Sequence, residues 1–426
     1  MKEGRWMYEL AEELFPLCRS ITGEGTRTTL RRLQKELPQM TLHEVPTGTN
    51  VFDWTVPKEW NIRDGYIDYE DGTRIVDFKQ NNLHIMGYSV PIDCIVELDE
   101  LQKYLYSLPE QPDWIPYVTS YYNERFGFCM SHDMRQNLKD GKYHMYIDSE
   151  LKNGSLTYGE IIIHGNTSQE VLLSTYVCHP SMANDQLSGP CLTVALAKWL
   201  SELQHRKYTY RIVFIPETIG SITYLSQNIE KMKNNIVAGF NIACVGDDRA
   251  YSYLPSRNEN TLSDRVARNV LGYLHPSYIS YTYLERGSDE RQYNAPGVDF
   301  PVCSVMRTKY GKYPEYHTSA DDLSLISAEG LQGSFDVYTA MLNVLEHNDI
   351  FKITCLGEPQ LGKRGLYPTE SYKGSASAVK SMMDFIAYAD GTHDLIEISN
   401  IIGVPADELI PIAKKLVQAG LMVKVD

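Results

Sequence analysis

Apolar positions fall into two rhythms along this 426-residue chain. Between residue 155 and about 350, short apolar runs alternate with segments whose apolar residues recur at helical spacing. The runs are "EVLLSTYVC", "YRIVFIP", "IVAGFNIACV" and "FPVCSVM"; the helical segments lie at 190–204 and near 221–233, 262–273 and 328–346. This alternation predicts an α/β three-layer sandwich around a largely parallel sheet. Ahead of it, 7–18 and 26–37 read as helices and "MTLHEV" as a strand.

From 51 to 154 the rhythm shortens to the alternation of strands, punctuated by Asp-Gly at 64–65 and 71–72 and Asn-Gly at 153–154. The expectation is a β-rich domain inserted into the sandwich, with turns at those three pairs. Its aromatic residues, Trp54, Trp60, Trp114, Tyr117, Tyr121 and Tyr122, suit a lid or side wall. The tail reads as helix, short helix, "GVP" turn, helix and short strand, the order of a winged helix-turn-helix. Three domains follow: a catalytic domain of 1–50 with 155–352, the insert 51–154, and a linker with the winged helix at 353–426.

Composition narrows the function. The 43% hydrophobic and 22% charged residues are ordinary for a globular chain, but the net charge of −15 disfavours nucleic acid and anionic membrane. Eight scattered cysteines without a CxxC pair read as buried thiols of a reducing compartment. No apolar stretch approaches the length of a membrane span, and the amino terminus reads as an amphipathic helix, so the expected location is the cytoplasm. The tail 376–426 has four Lys, no Arg and seven Asp or Glu, so it reads as a protein-contact module, through which homo-oligomers can form, or a substrate-covering one, and not as a DNA reader.

Polar residues cluster just beyond the apolar runs. His179 and Asp185 follow "EVLLSTYVC", Glu217 follows "YRIVFIP", Asp289, Glu290 and Arg291 precede "FPVCSVM", and His317 lies in "KYGKYPEYHTSADDL". The carboxyl ends of strands are where open α/β sheets place ligands. A hydrolytic zinc takes about three His, Asp or Glu ligands and leaves one position for water. His179, Asp185 and His317 supply such a set, and Glu217 supplies a carboxylate to act as general base.

The ordered motifs "AND-QLSG" at 183–189, "ETIGS" at 217–221, "SD" at 288–289 and "YHTSADD" at 316–322 resemble the zinc aminopeptidases of phosphorylase/hydrolase-like fold. The opening "SITGEGTRTTLRRLQKEL" is similar to that family's first loop and helix. The three-part layout further resembles a bacterial aminopeptidase-like group linked to polysaccharide biosynthesis. The resemblance implies two metals in its usual form, but this chain departs from it. Ser181 stands where the family has an aspartate, Thr218 replaces the second Glu of a pair, and Ala243 falls where a third acid is expected. One zinc on His179, Asp185 and His317 is therefore expected, unless Asp247 or Asp248 completes a second site.

The functional expectation is a zinc hydrolase cleaving a peptide or amide bond in a small substrate. Asp289 or Glu290 would hold the free ammonium group of an aminopeptidase substrate, and Arg291 or Arg307 a carboxylate or an oxyanion. Two alternatives use the same fold: an amidase or deacylase acting on an amino-sugar derivative in surface polysaccharide metabolism, and a non-catalytic binding protein.

Overall fold

The computed structural model describes residues 2–366 and 375–425, together with the backbone but not the side chains of the helix start at 375–378. Residues 367–374, part of the expected linker, lie outside the described residues. The chain divides into two compact units, one of residues 1–259 with 279–335, the other of 260–278 with 336–426.

The first unit is built on an eight-stranded sheet. Its strands are β1 (Thr41–Pro46), β2 (Ser155–Ile163), β3 (Glu170–Tyr176), β4 (Thr209–Ile215), β5 (Ile236–Asn241), β6 (Ser252–Leu254), β7 (Ile279–Ser280) and β8 (Val302–Met306), in spatial order β1-β2-β4-β3-β5-β8-β6-β7. The four central strands β4, β3, β5 and β8 run parallel. Every residue of β3 and β4 is buried. Strands covered on both faces read as continuous apolar runs, and for that reason they stand out in the sequence. The sheet is largely parallel as expected: β6 and β7 also pair parallel, and the antiparallel pairings, β1 with β2, β2 with β4 and β6 with β8, lie toward its flanks.

The crossover from β3 to β4 leaves in one direction along the sheet and that from β4 to β5 returns in the other. Such a reversal opens a crevice at the carboxyl ends of the strands involved. The helix α1 (Ser188–Glu202) after β3 is buried over most of its surface. Its approach to the sheet depends on Gly189, where an added Cβ would stand 2.5 Å from the Ile242 carbonyl oxygen and 2.6 Å from Thr175 Oγ1. The helix α2 (Ile219–Asn235) follows β4.

The insert has the β-rich character read from its sequence. A four-stranded antiparallel sheet orders Arg74–Asp77, Glu59–Tyr69, Lys142–Lys152 and Ile92–Glu97. Residues along Lys142–Lys152 alternate between buried and partly exposed, and Ile67, Val76, Phe128, Tyr143, Met145 and Ile147 form a core of their own. Only one of the three expected turns is a hairpin turn within this sheet. Asp71-Gly72 joins two paired strands, whereas Asp64-Gly65 lies inside Glu59–Tyr69 beside a register shift. Asn153-Gly154 is a corner where the chain leaves the insert's sheet for β2. The two pairs at 71–72 and 153–154 mark turns of the chain, and the pair at 64–65 follows an irregularity in strand register.

The second unit holds the winged-helix elements: helices Ser375–Tyr388, Leu395–Ile402 and Ala406–Gln418, with strands Asp390–Asp394 and Met422–Val425. A strand not foreseen, Ile350–Ile353, lies between those two strands and completes a three-stranded sheet. The helix Leu262–Leu274, read from sequence as part of the sandwich, belongs to this unit. Arg265 pairs with Asp394 at 2.6 Å and Asn269 donates to Ser399 Oγ at 2.8 Å. The boundary expected at residue 353 therefore moves to about 336, inside the helix Ala328–His347.

Candidate functional site

The loop after β3 carries His179, and a single π-type turn, Ala183–Leu187, carries Asp185 into the start of α1. Such wide turns recur where side chains must be aimed at a site. His317 comes from the loop beyond β8. The ligand atoms of His179, Asp185 and His317 all lie within 4.8 Å of one another. His317 Nε2 stands 3.1 Å from Asp185 Oδ2, and His179 Nε2 stands 3.6 Å from Glu217 Oε2. The four residues singled out for metal and base are thus brought together from three separate loops.

Backbone strain concentrates here. Ser181, Thr218, Cys244 and His317, none of them glycine, have φ between 44° and 62°. Left-handed or strained conformations in such residues persist where surrounding structure enforces them, and they gather at functional sites. Thr218, at φ 62° and ψ −77°, lies between the Glu217 carbonyl and the Ile219 N–H, which join at 2.8 Å. That is the rare γ-turn, unfavourable for a β-branched residue. Two contacts hold it: Asp289 Oδ1 accepts the Thr218 N–H at 2.7 Å, and Arg291 donates to Thr218 Oγ1 at 2.6 Å. The turn sets Glu217 at the rim of the cluster.

The residues around the His179, Asp185 and His317 side chains fix their orientation. Gln186 Oε1 lies 3.1 Å from His179 Nδ1 and accepts the backbone N–H of Cys178. With Nδ1–H donated to it, the Nε2 lone pair faces Asp185 and His317. Asp185 Oδ1 accepts from the Tyr176 hydroxyl at 2.7 Å and, more weakly, from the Cys244 thiol at 3.5 Å. Asp321 accepts the N–H groups of Ala183, Asn184 and Asp185, clamping the π-type turn. Burial keeps the His179 imidazole neutral down to about 4. Burial would raise Asp185, but its bond to His317 and the charge of both histidines hold it well below the usual carboxylate range. Glu217 moves the other way, pushed well above its usual value by burial and then by the Asp289 and Asp185 carboxylates. Burial likewise takes Asp289 up to about 6, and burial with the Asp185 charge takes Asp321 up to about 7.

A cavity of about 410 Å³ opens over His179, Glu217 and His317. The insert supplies one wall: Trp54, Tyr117, Tyr121 and Tyr122 line it, and Tyr117 packs edge-on against both histidines. The other expected wall residues do not line it; Trp60 is buried against Tyr88, with its indole N–H on the Ser89 carbonyl. The insert also joins the His317 loop by its backbone, from Tyr117 N to the His317 carbonyl at 2.9 Å and from Ser319 N to the Ile115 carbonyl at 2.8 Å.

The substrate-binding expectations divide. Arg291 lines the cavity, whereas Asp289, Glu290 and Arg307 do not. Asp289 is fully buried behind Thr218, where Ser221 also donates to it. Glu290 is fully buried too: it accepts from Gly287 N, Ser288 N, the Tyr310 hydroxyl and Asn241 Nδ2. Arg307 is buried over the Tyr251 ring, its guanidinium 4.0 Å from Asp248. A buried carboxylate whose oxygens are already taken cannot receive a substrate ammonium, so Glu290 is a structural residue. Glu290→Ala is expected to cost at least about 3 kcal/mol of stability, since it strands several buried donors. Urea unfolding checks this, and a change under about 1 kcal/mol would contradict the network. Asp247 is occupied similarly, by Thr308 N, Thr308 Oγ1, Arg249 N and Asn184 Nδ2.

This combination of parallel sheet, strand-end loops and converging His, Asp and His side chains defines an aminopeptidase-like α/β protein. The chain belongs to the family described as "Domain of unknown function (DUF4910)", whose model matches residues 8–348, and a winged helix-turn-helix model matches 336–424. It is 47% identical over 365 residues, 85% of this chain and 83% of the relative, to a Clostridium acetobutylicum protein provisionally named as a polysaccharide biosynthesis protein with an aminopeptidase-like domain. A crystal structure from the same organism, provisionally described as a peptidase, matches 100% of this chain and 97% of its own, with 42% identity and a TM-score of 0.94. The zinc aminopeptidase of Bacillus subtilis shares the fold at a TM-score of 0.57 and 14% identity, over 80% of this chain and 94% of its own.

Proposed function

We propose that the chain is a zinc-dependent hydrolase of a peptide or amide bond, with one zinc held by His179, Asp185 and His317. The observation that carries this reading is the convergence of those three side chains beside the Glu217 carboxylate, with His179, His317 and Glu217 lining one cavity. The donor set fits the metal: two imidazoles and a carboxylate are hard-to-borderline ligands, and separations inside 4.8 Å can be bridged by bonds of about 2.0–2.2 Å after small side-chain shifts. When bound, zinc supplies a Lewis acid and an acidified water, with one position left open.

This chain's own residues do the rest. Gln186 and Asp321 aim two of the ligands. Glu217, 3.6 Å from His179 Nε2, takes the proton of the attacking water and returns it to the leaving amine. The environment that raises its proton affinity suits a group that must hold a proton between the two steps. Tyr117 and its neighbours exclude bulk water from one side and limit the substrate to a small one. The test is elemental analysis of purified protein alongside a panel of aminoacyl amides and N-acyl amines; no bound metal and no turnover on any of them would remove the reading.

Deacylation of an amino-sugar derivative is the second reading. It draws on the polysaccharide biosynthesis name of the Clostridium acetobutylicum relative and on the aromatic wall, since exposed rings such as Trp54 and Tyr122 suit the face of a sugar. The same residues serve either amide.

For the winged-helix unit we propose a protein-contact role, including contact with a second copy of the chain. Its second long helix, Ala406–Gln418, opens with Asp407 and Glu408, and Ile401, Val417 and Val423 are exposed. Acids at a helix start favour its dipole but repel phosphate. Labelled duplex DNA titrated into the full chain at low salt is expected to show no binding tighter than about micromolar; tight binding that weakens steeply with salt would overturn this. Among the described residues no helix is long and apolar enough to cross a membrane.

A further inference from the structure

The charged groups around the cavity can be assigned one by one. Asp185 is turned toward the two histidines, and Glu217 is the one carboxylate lining the cavity. Asp289 and Glu290, the acids expected to receive a substrate ammonium, are fully buried behind the wall. What the wall offers instead is a cation. Arg291 lines the cavity beside Glu217 and Thr218, is exposed, and donates from Nη2 to Thr218 Oγ1 at 2.6 Å. Among the described residues no carboxylate stands within salt-bridge distance of its guanidinium, in a chain where most arginines are paired. The hydroxyl contact fixes the planar group and leaves its remaining N–H donors for a ligand.

An aminopeptidase must meet a free ammonium with a carboxylate. A cation in that neighbourhood would repel such a substrate and attract its opposite. We propose that the site selects amides that carry a carboxylate, bound by Arg291, in place of substrates with a free amino terminus. This rests on the hydrolase reading and specifies its substrate: an N-acyl amino acid or an N-acylated amino-sugar acid. A single guanidinium matches a monoanion, with bidentate geometry available to a carboxylate. In the lining of the same cavity, the exposed Trp54 and Tyr122 rings, edge to face at 6.0 Å, offer an apolar platform for the remainder of the molecule.

The experiment is a calorimetric titration of the zinc-loaded full chain bearing Glu217→Gln, which prevents turnover during the measurement. The ligands are N-acetylphenylalanine, its carboxamide, phenylalaninamide with its free amine, and N-acetylmuramic acid. The N-acetylated acids are expected to bind at least tenfold more tightly than the two amides, about 1.4 kcal/mol. Arg291→Gln should erase the difference and Arg291→Lys retain part of it. Whether the amino acid or the sugar acid binds better separates the two sources. Equal or tighter binding of phenylalaninamide, binding of none of the four, or a carboxylate preference that survives Arg291→Gln would overturn the proposal. The last result would place the carboxylate on the metal. The hydrolase reading fails separately: a carboxylate preference without cleavage of any amide by the unmodified chain removes that reading and leaves the binding assignment. Cleavage that favours free-amine substrates does the reverse.

Discussion

Glu217→Gln protein is expected to keep its zinc and to lose about 10²–10⁴ of its turnover on any amide that the unmodified chain hydrolyses. The substitution preserves size and leaves the metal ligands untouched, because Glu217 faces His179 from 3.6 Å without belonging to the His179, Asp185 and His317 group. An amide at that position cannot accept the proton of the attacking water. The loss should therefore appear in kcat, with KM little changed. The pairing of metal analysis with kinetics is what decides the role. If Glu217→Gln protein comes away without zinc, the residue is a ligand and the proposed base must be sought elsewhere.

Removing a ligand should have the larger effect on metal. His179→Ala, Asp185→Ala and His317→Ala are each expected to weaken zinc binding by more than the roughly 10–100-fold that outer partners of a metal site typically cost. Asp185→Ala should be the most damaging, because Asp185 carries the negative charge of the set and is fully buried, with Tyr176 and His317 both directed at it. The unmodified chain should hold close to one zinc. Ala243, where the family resemblance implies a third acid, has no side-chain donor for a metal, and the thiol of its neighbour Cys244, which lies beside Asp185, is kept neutral by burial. Where a second Glu is expected the structure has Thr218, whose hydroxyl is taken by Arg291. Two tightly bound ions per chain in elemental analysis would refute the one-metal assignment.

What was legible in the sequence follows physical lines. β3 and β4 could be read because burial on both faces demands unbroken apolar runs, and His179, Asp185, Glu217 and His317 because their residue types stand at strand ends. Side-chain direction could not be read. Asp289, Glu290 and Arg291 are consecutive, yet two point inward to stranded backbone donors and one outward to the cavity; only neighbours distant in the chain, such as Tyr310 and Asn241, decide which. The same holds for Leu262–Leu274, whose helical pattern is plain but whose partners, Asp394 and Ser399, lie more than a hundred residues away. Gln186 and Asp321 stand inside sequence motifs that do not reveal their positioning roles, because a hydrogen bond to a backbone N–H leaves no mark on local periodicity. The strand Ile350–Ile353 is four residues long and half exposed, too short for alternation to speak.

The backbone bonds that tie residues 115–117 of the insert to residues 317–319 bear on how the molecule can move. A hinged cover could swing away without disturbing the chemistry beneath it. Here the two are coupled: displacing the aromatic wall would pull on the peptide groups of the loop that carries the His317 ring. Opening the mouth and misaligning a ligand would be a single event. On the proposed reading the insert acts as a jaw tied to the His317 loop, against which a molecule is admitted by fit and past which the products of hydrolysis would leave by the same aperture.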